Sequence, residues 1–68
     1  MLKIKIEDNR KERQCGADVI TEGFIRVTDE EGDLLAWAGD YDCETQTATL
    51  LLAFVEKLVA RGAVEIIK

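Results

Sequence analysis

Three carboxylates at alternate positions have the clearest potential for chemistry, in the run Asp40-Tyr41-Asp42-Cys43-Glu44. Hard divalent cations such as Mg²⁺ and Ca²⁺ prefer oxygen ligands of this kind. The run lacks the glycine and the spacing of a calcium-binding loop, and Asp42 is also suited to cap a following helix. We predict helix capping by Asp42, and we keep a divalent-metal site at Asp40, Asp42 and Glu44 as the alternative.

Other chemistry is restricted by composition. The chain has no histidine, which excludes a Ser–His or Cys–His pair within it. Two cysteines, Cys15 and Cys43, are too few for a tetrahedral zinc site in one chain. They could form one disulfide, but no segment resembles a secretion signal, so we predict reduced thiols and a cytoplasmic protein. An enzyme would need Asp8 to join the acidic run around a metal. We predict instead a protein without catalytic residues or a cofactor.

The charge balance restricts the partners. Fourteen acidic and nine basic residues give a net charge of −5, which disfavours nucleic-acid binding because phosphates repel an acidic surface. A second acidic cluster precedes the first one and contains Asp29, Glu30, Glu31 and Asp33. The longest apolar run, residues 50–55, is too short to span a membrane. A second copy of this chain or another protein is therefore the expected partner.

The 68 residues suffice for one small domain, whose core hides only about 60% of the unfolded chain's surface. Alternating apolar residues predict a first strand over 2–7. Residues 8–18 show no periodicity and predict a loop. Residues 19–28 and 33–41 predict a hairpin, with Gly32 in a left-handed position after a type I turn.

A helix is predicted from residues 42–45 to Gly62, followed by a strand over 64–67 that joins the first strand in parallel. One stripe of the helix is apolar at 3.6-residue spacing, and it contains Ala48, Leu51, Leu52, Val55, Leu58 and Val59. Leu50 and Phe54 lie at the margin of this stripe.

The hairpin register predicted from this turn pairs Thr28 with Leu34 and Ile25 with Trp37. This register places Ile25, Val27, Leu35 and Trp37 under the helix. A shift of the register by one residue would mix the residues of the two faces. The opposite face then carries Phe24, Arg26, Thr28, Leu34, Ala36 and Ala38. One helix covers only one face of a sheet, so the apolar residues of the other face favour an interface. We predict this interface at Phe24, Leu34, Leu50 and Phe54.

The order of elements resembles the first half of the ribonuclease H fold. Residues 4–8, Ile-Lys-Ile-Glu-Asp, are similar to its first strand with a terminal acid, and residues 45–51 are similar to the start of its first helix. The position of that family's helix glutamate corresponds approximately to Thr49 in this chain. The family's next carboxylate follows its fourth strand, and this sequence ends before that position. The resemblance therefore implies the fold without the two-metal nuclease. Half-folds of this kind also resemble HicB-type antitoxins, which act by binding protein.

These patterns predict one α+β domain over residues 1–68: a three-stranded antiparallel sheet, one helix on one face and a C-terminal edge strand. The predicted function is a small acidic, non-catalytic protein-interaction module that forms a homodimer. The alternative is an antitoxin-type or phage-type inhibitor whose acidic clusters bind a basic surface on a toxin or nuclease. The third hypothesis is the carboxylate metal site.

Overall fold

The computed structural model describes residues 1–43 and 46–67 and shows an α+β fold. The elements follow the predicted order: β1 (Leu2–Cys15), β2 (Asp18–Asp29), β3 (Leu34–Asp40), α1 (Thr47–Ala60) and β4 (Val64–Ile66). The four strands form one mixed sheet in the order β3-β2-β1-β4. β4 pairs in parallel with the start of β1, which confirms the predicted pairing. Among the described residues, no helix has the length and apolar character needed to cross a membrane.

The predicted loop over residues 8–18 is wrong. β1 continues to Cys15 and pairs with β2 without interruption, from Ile4 opposite Asp29 to Cys15 opposite Asp18. Residues 10–23 form the outer part of this hairpin, which we call the hairpin arm, and the molecule is 43 Å long. The arm lacks apolar alternation because charged side chains pair across it instead, as between Arg13 and Glu22 at 3.0 Å.

The β2–β3 turn forms as predicted. Gly32 has a φ of 87°, and the Gly32 amide donates to the Asp29 carbonyl oxygen at 3.1 Å. Thr28 lies opposite Leu34, also as predicted, but a β-bulge follows, so Val27 lies opposite Ala36 rather than Leu35.

From Leu35 onward, the bulge reverses the predicted faces of β3. Ile25 lies opposite Ala38, and Arg26 lies opposite Trp37. Leu35 and Trp37, both expected under the helix, are 45% and 52% exposed. Ala36 and Ala38, both predicted on the opposite face, take their place: Ala38 is buried in the core, and Ala36 packs against it.

The core lies between the sheet and one face of α1. Its buried members come from four strands and the helix: Ile4, Ile25, Val27, Ala38, Ala48, Val55 and Val64. The predicted stripe of α1 is confirmed, because Leu51, Leu52, Leu58 and Val59 pack against these residues. Gly62 ends the helix with a φ of 76°, also as predicted. The Ala63 amide donates to the carbonyl oxygen of Leu58, and the Gly62 amide donates to that of Val59.

Candidate functional site

Asp40 caps the helix and is buried. Its Oδ1 accepts a hydrogen bond from the Thr47 amide at 2.6 Å, and its Oδ2 accepts one from the Ala48 amide at 3.1 Å. Only 1% of Asp40 is exposed. The predicted capping by Asp42 is therefore wrong: the cap comes from the end of β3, seven residues before the helix begins.

The predicted metal site at Asp40, Asp42 and Glu44 stays a prediction, because one of its three ligands lies outside the described residues. Both oxygens of Asp40 face the helix amides, whereas Asp42 is exposed. Glu44, and Thr45 of the predicted helix start, lie outside the described residues.

Asp8, the fourth acid of the enzyme hypothesis, is paired with Arg10. The Arg10 guanidinium donates from Nε to Oδ1 at 2.9 Å and from Nη2 to Oδ2 at 3.0 Å. This bidentate hydrogen bonding is the main reason why the pKa of Asp8 lies below its ordinary value, although partial burial opposes the shift.

Arg10 also connects β1 to the helix. Its Nη1 donates to Oγ1 of Thr49 at 3.3 Å. The pKa of Arg10 is raised, first by the hydrogen bond to Asp8 and further by the charges of Asp40 and Glu56. Two acids of the enzyme hypothesis, Asp8 and Asp40, therefore interact with the positive charge of Arg10.

The acidic residues of the β2–β3 turn form a separate cluster. Carboxylate oxygens of Asp29, Glu31 and Asp33 lie within 4.8 Å of one another. Oδ1 of Asp29 accepts hydrogen bonds from the Glu31 amide at 2.8 Å and the Asp33 amide at 2.9 Å. These bonds hold the turn, and the carboxylates concentrate negative charge at this end of the sheet. We call residues 29–33 the acidic turn.

The two cysteines are joined in a disulfide, so the predicted reduced thiols are wrong for this structure. Cys15 at the end of β1 bonds to Cys43, with a Cα–Cα distance of 6.1 Å. A groove of about 230 Å³ lies beside the bridge, between the hairpin arm and the start of α1. It is lined by Val19, Ile20, Thr21, Asp40, Cys43, Gln46 and Thr49.

Aromatic side chains gather on the sheet face opposite the helix. The rings of Phe24 and Trp37 stack with centroids 6.0 Å apart and planes at 23°. Gly39 leaves room beside them: a Cβ there would lie 2.8 Å from Cη2 of Trp37 and 2.7 Å from Cε2 of Tyr41. We call Phe24, Trp37 and Tyr41 the aromatic patch. Trp37 is 52% and Tyr41 58% exposed.

The four residues predicted for an interface lie on two surfaces. Phe24 is half-buried in the aromatic patch, and Leu34, 59% exposed, starts β3 on the same sheet face. Leu50 and Phe54 are 67% and 61% exposed on α1. Sequence reasoning missed Trp37 as a member of the exposed surface, because the bulge that turns it outward has no clear sequence signal.

Comparison with known proteins found no matching family model, no matching curated protein and no matching solved structure.

Proposed function

We propose that this protein is a small non-catalytic interaction module that associates with a second copy of itself through the aromatic patch and the adjoining β3. The observation that carries this proposal is the stacked pair of half-buried Phe24 and exposed Trp37 on a sheet face that the chain's helix does not cover. Leaving a large apolar side chain in water forgoes about 1.5–3 kcal/mol relative to burying it. For a domain of this size, that is a large share of the total stability.

The hydrogen bonds and ion pairs of the acidic residues support a non-catalytic role. Asp40 caps the helix, Asp8 is neutralised by Arg10, and Asp29 holds its turn. Each of these carboxylates thus has a structural partner, which supports a structural role for it.

Sedimentation equilibrium tests self-association directly, because the chain has a mass of 7.6 kDa and a dimer has twice that mass. Replacing Phe24 and Leu34 with serine removes apolar area from the uncovered face and should weaken the dimer at least about tenfold, the equivalent of 1.4 kcal/mol. The helix signal in circular dichroism should persist, because both residues lie outside the core.

Val19→Ser provides the matched control, because Val19 is an exposed strand residue of the hairpin arm. It should leave the dimer unchanged. A monomer at millimolar concentration, or equal weakening by the control, would refute the proposal.

The acidic turn supports a second candidate function, an inhibitor that covers a basic site on a toxin or nuclease. Three carboxylates within 4.8 Å create a concentrated negative potential. Salt separates the two candidates: a complex with a basic protein weakens as salt screens the attraction, whereas association of two acidic chains strengthens as salt screens their repulsion.

A cytoplasmic location stays a proposal from the sequence. The Cys15–Cys43 bridge argues against it, because structural disulfides persist mainly in oxidising compartments. Counting free thiols in protein isolated under alkylating conditions distinguishes reduced thiols, expected in the cytoplasm, from the disulfide, expected in an oxidising compartment.

A further inference from the structure

β3 is an edge strand whose only protection against pairing, among the described residues, is the β-bulge at its start. Residues 34–39, Leu-Leu-Ala-Trp-Ala-Gly, carry no charge, and β3 has a neighbour on one side only. Edge strands commonly carry lysine or proline, or are very short, and these features prevent sheets from joining edge to edge.

The opposite edge of the sheet has these features. β4 is three residues long and carries Glu65. Beyond Ile4, where β4 stops pairing, β1 carries Lys5, Lys11 and Arg13 along its open edge. The contrast singles out β3 as the edge suited to accept another strand.

The helix adds apolar surface on the same side of the molecule. The Arg10–Thr49 hydrogen bond shows that Thr49 faces β1, and Glu56, two turns later, acts on the same guanidinium. At 3.6 residues per turn, Phe54 lies about 140° around the helix from Thr49. Because β3 lies on the far side of β2 from β1, this flank projects on the β3 side, with Phe54 and Leu50 exposed.

We propose that β3 pairs antiparallel with β3 of a second copy around a twofold axis, which joins the two sheets into one of eight strands. This inference rests on the proposed self-association and specifies its geometry. The twofold rotation brings the apolar surfaces on the β3 side of the two copies together. The backbone edges pair, both helices lie on the same face with Leu50 and Phe54 towards the axis, and the two aromatic patches become neighbours on the other face.

A second copy fits this edge better than an unrelated strand for a reason of charge. Directly opposite residues of an antiparallel pair point to the same face, so with both helices on one face Trp37 lies opposite Trp37 of the second copy and Ala36 lies opposite Ala38. Only uncharged residues are then paired. The bulge at the start of β3 bends the strand there, so pairing is centred on Trp37. The acidic turn of one copy then lies beyond the end of the partner's β3, and this repulsion makes the dimer stronger at higher salt.

Nuclear magnetic resonance on a mixed sample tests the geometry. Equal amounts of ¹³C,¹⁵N-labelled and unlabelled protein are combined, and filtered spectra record contacts between copies. The pairing predicts Hα–Hα contacts between the two β3 strands. It also predicts that alternate β3 amides, those pointing away from β2, become protected from exchange as the protein concentration rises. Above the dissociation constant, a hundredfold increase in concentration should slow their exchange about tenfold, since the free-monomer fraction falls as the square root of concentration.

A charged residue placed in β3 provides a variant that tests the edge pairing. Trp37→Lys should raise the dimer dissociation constant at least about tenfold, because two lysines then meet near the axis. Val19→Lys has the same change in net charge on an exposed strand residue of the hairpin arm, so it should not weaken the dimer.

The outcomes separate the two proposals. A dimer with β3–β3 contacts supports edge pairing. A dimer without those contacts, and with unprotected outward amides, overturns edge pairing while self-association stands. A monomer overturns both, as does a complex that forms only with another protein.

Discussion

The carboxylate of Asp40, the last residue of β3, accepts a 2.6 Å hydrogen bond from the backbone amide of Thr47, the first residue of α1. A second bond from Ala48 completes the cap, so one buried side chain fixes where the helix begins over the sheet. The residue at the N-cap position, Gln46, makes no capping hydrogen bond from its side chain. The start of the helix therefore depends on a residue that lies outside it.

Replacing Asp40 with alanine should lower the free energy of unfolding by about 1–3 kcal/mol, since two helix amides lose their acceptor in a buried site. Asp40→Asn should cost less, because its carbonyl oxygen still accepts one bond. Asp18→Ala, at an exposed strand residue, removes the same charge and serves as the control. Urea denaturation measures all three, and equal effects of Asp40→Ala and Asp18→Ala would contradict the capping role.

The Asp8–Arg10 pair should give the protein a measurable acid sensitivity. Because the folded-state pKa of Asp8 is lowered, the pair stabilises the fold above the unfolded pKa of about 4, and this contribution is lost as pH falls through the lowered folded value. Carboxyl ¹³C titration should show the pKa of Asp8 below 3.8 and rising towards that value in Arg10→Gln.

Arg26→Gln is the matched control for this titration, because Arg26 pairs with Glu7 on the other face of the sheet. It should leave the pKa of Asp8 unchanged. A pKa of Asp8 that does not respond to Arg10→Gln would show that the bidentate pair is absent in solution.

Reducing the Cys15–Cys43 bridge should lower the free energy of unfolding by about 2–4 kcal/mol, because the bridge closes a loop with a sequence separation of 28 residues. Denaturation with and without a reducing agent measures the difference. The double variant Cys15→Ser/Cys43→Ser should be insensitive to the reducing agent. Two titratable thiols in the native, unreduced protein would contradict the bridge.

Local patterns were sufficient to predict much of the fold. The apolar stripe of α1 depends on helical spacing alone, and Gly32 and Gly62 mark turns through the backbone conformation that glycine permits. The three strands before the helix and the parallel fourth strand follow from the order of these elements. The exposed state of Leu50 and Phe54 follows from their place at the margin of the stripe.

The hairpin arm could not be predicted in this way. The core residues do not extend into this part of the hairpin, so its strands need no apolar alternation, and backbone pairing and cross-strand ion pairs such as Arg13–Glu22 stabilise them. The β3 register was missed for a different reason. One extra residue in a bulge reverses every following side chain, and it moved Trp37 from the expected core to the exposed aromatic patch.

The sequence by itself determined the order of the elements and the acidic, histidine-free chemistry, because these depend on residue type and spacing within one segment. Tertiary structure alone decided that Asp40 and not Asp42 caps the helix, that Arg10 neutralises Asp8, and that Cys15 meets Cys43. It also decided which face of β3 is exposed. Each of these depends on which distant residues the sheet places side by side, and a single bulge can change that placement without altering any local pattern.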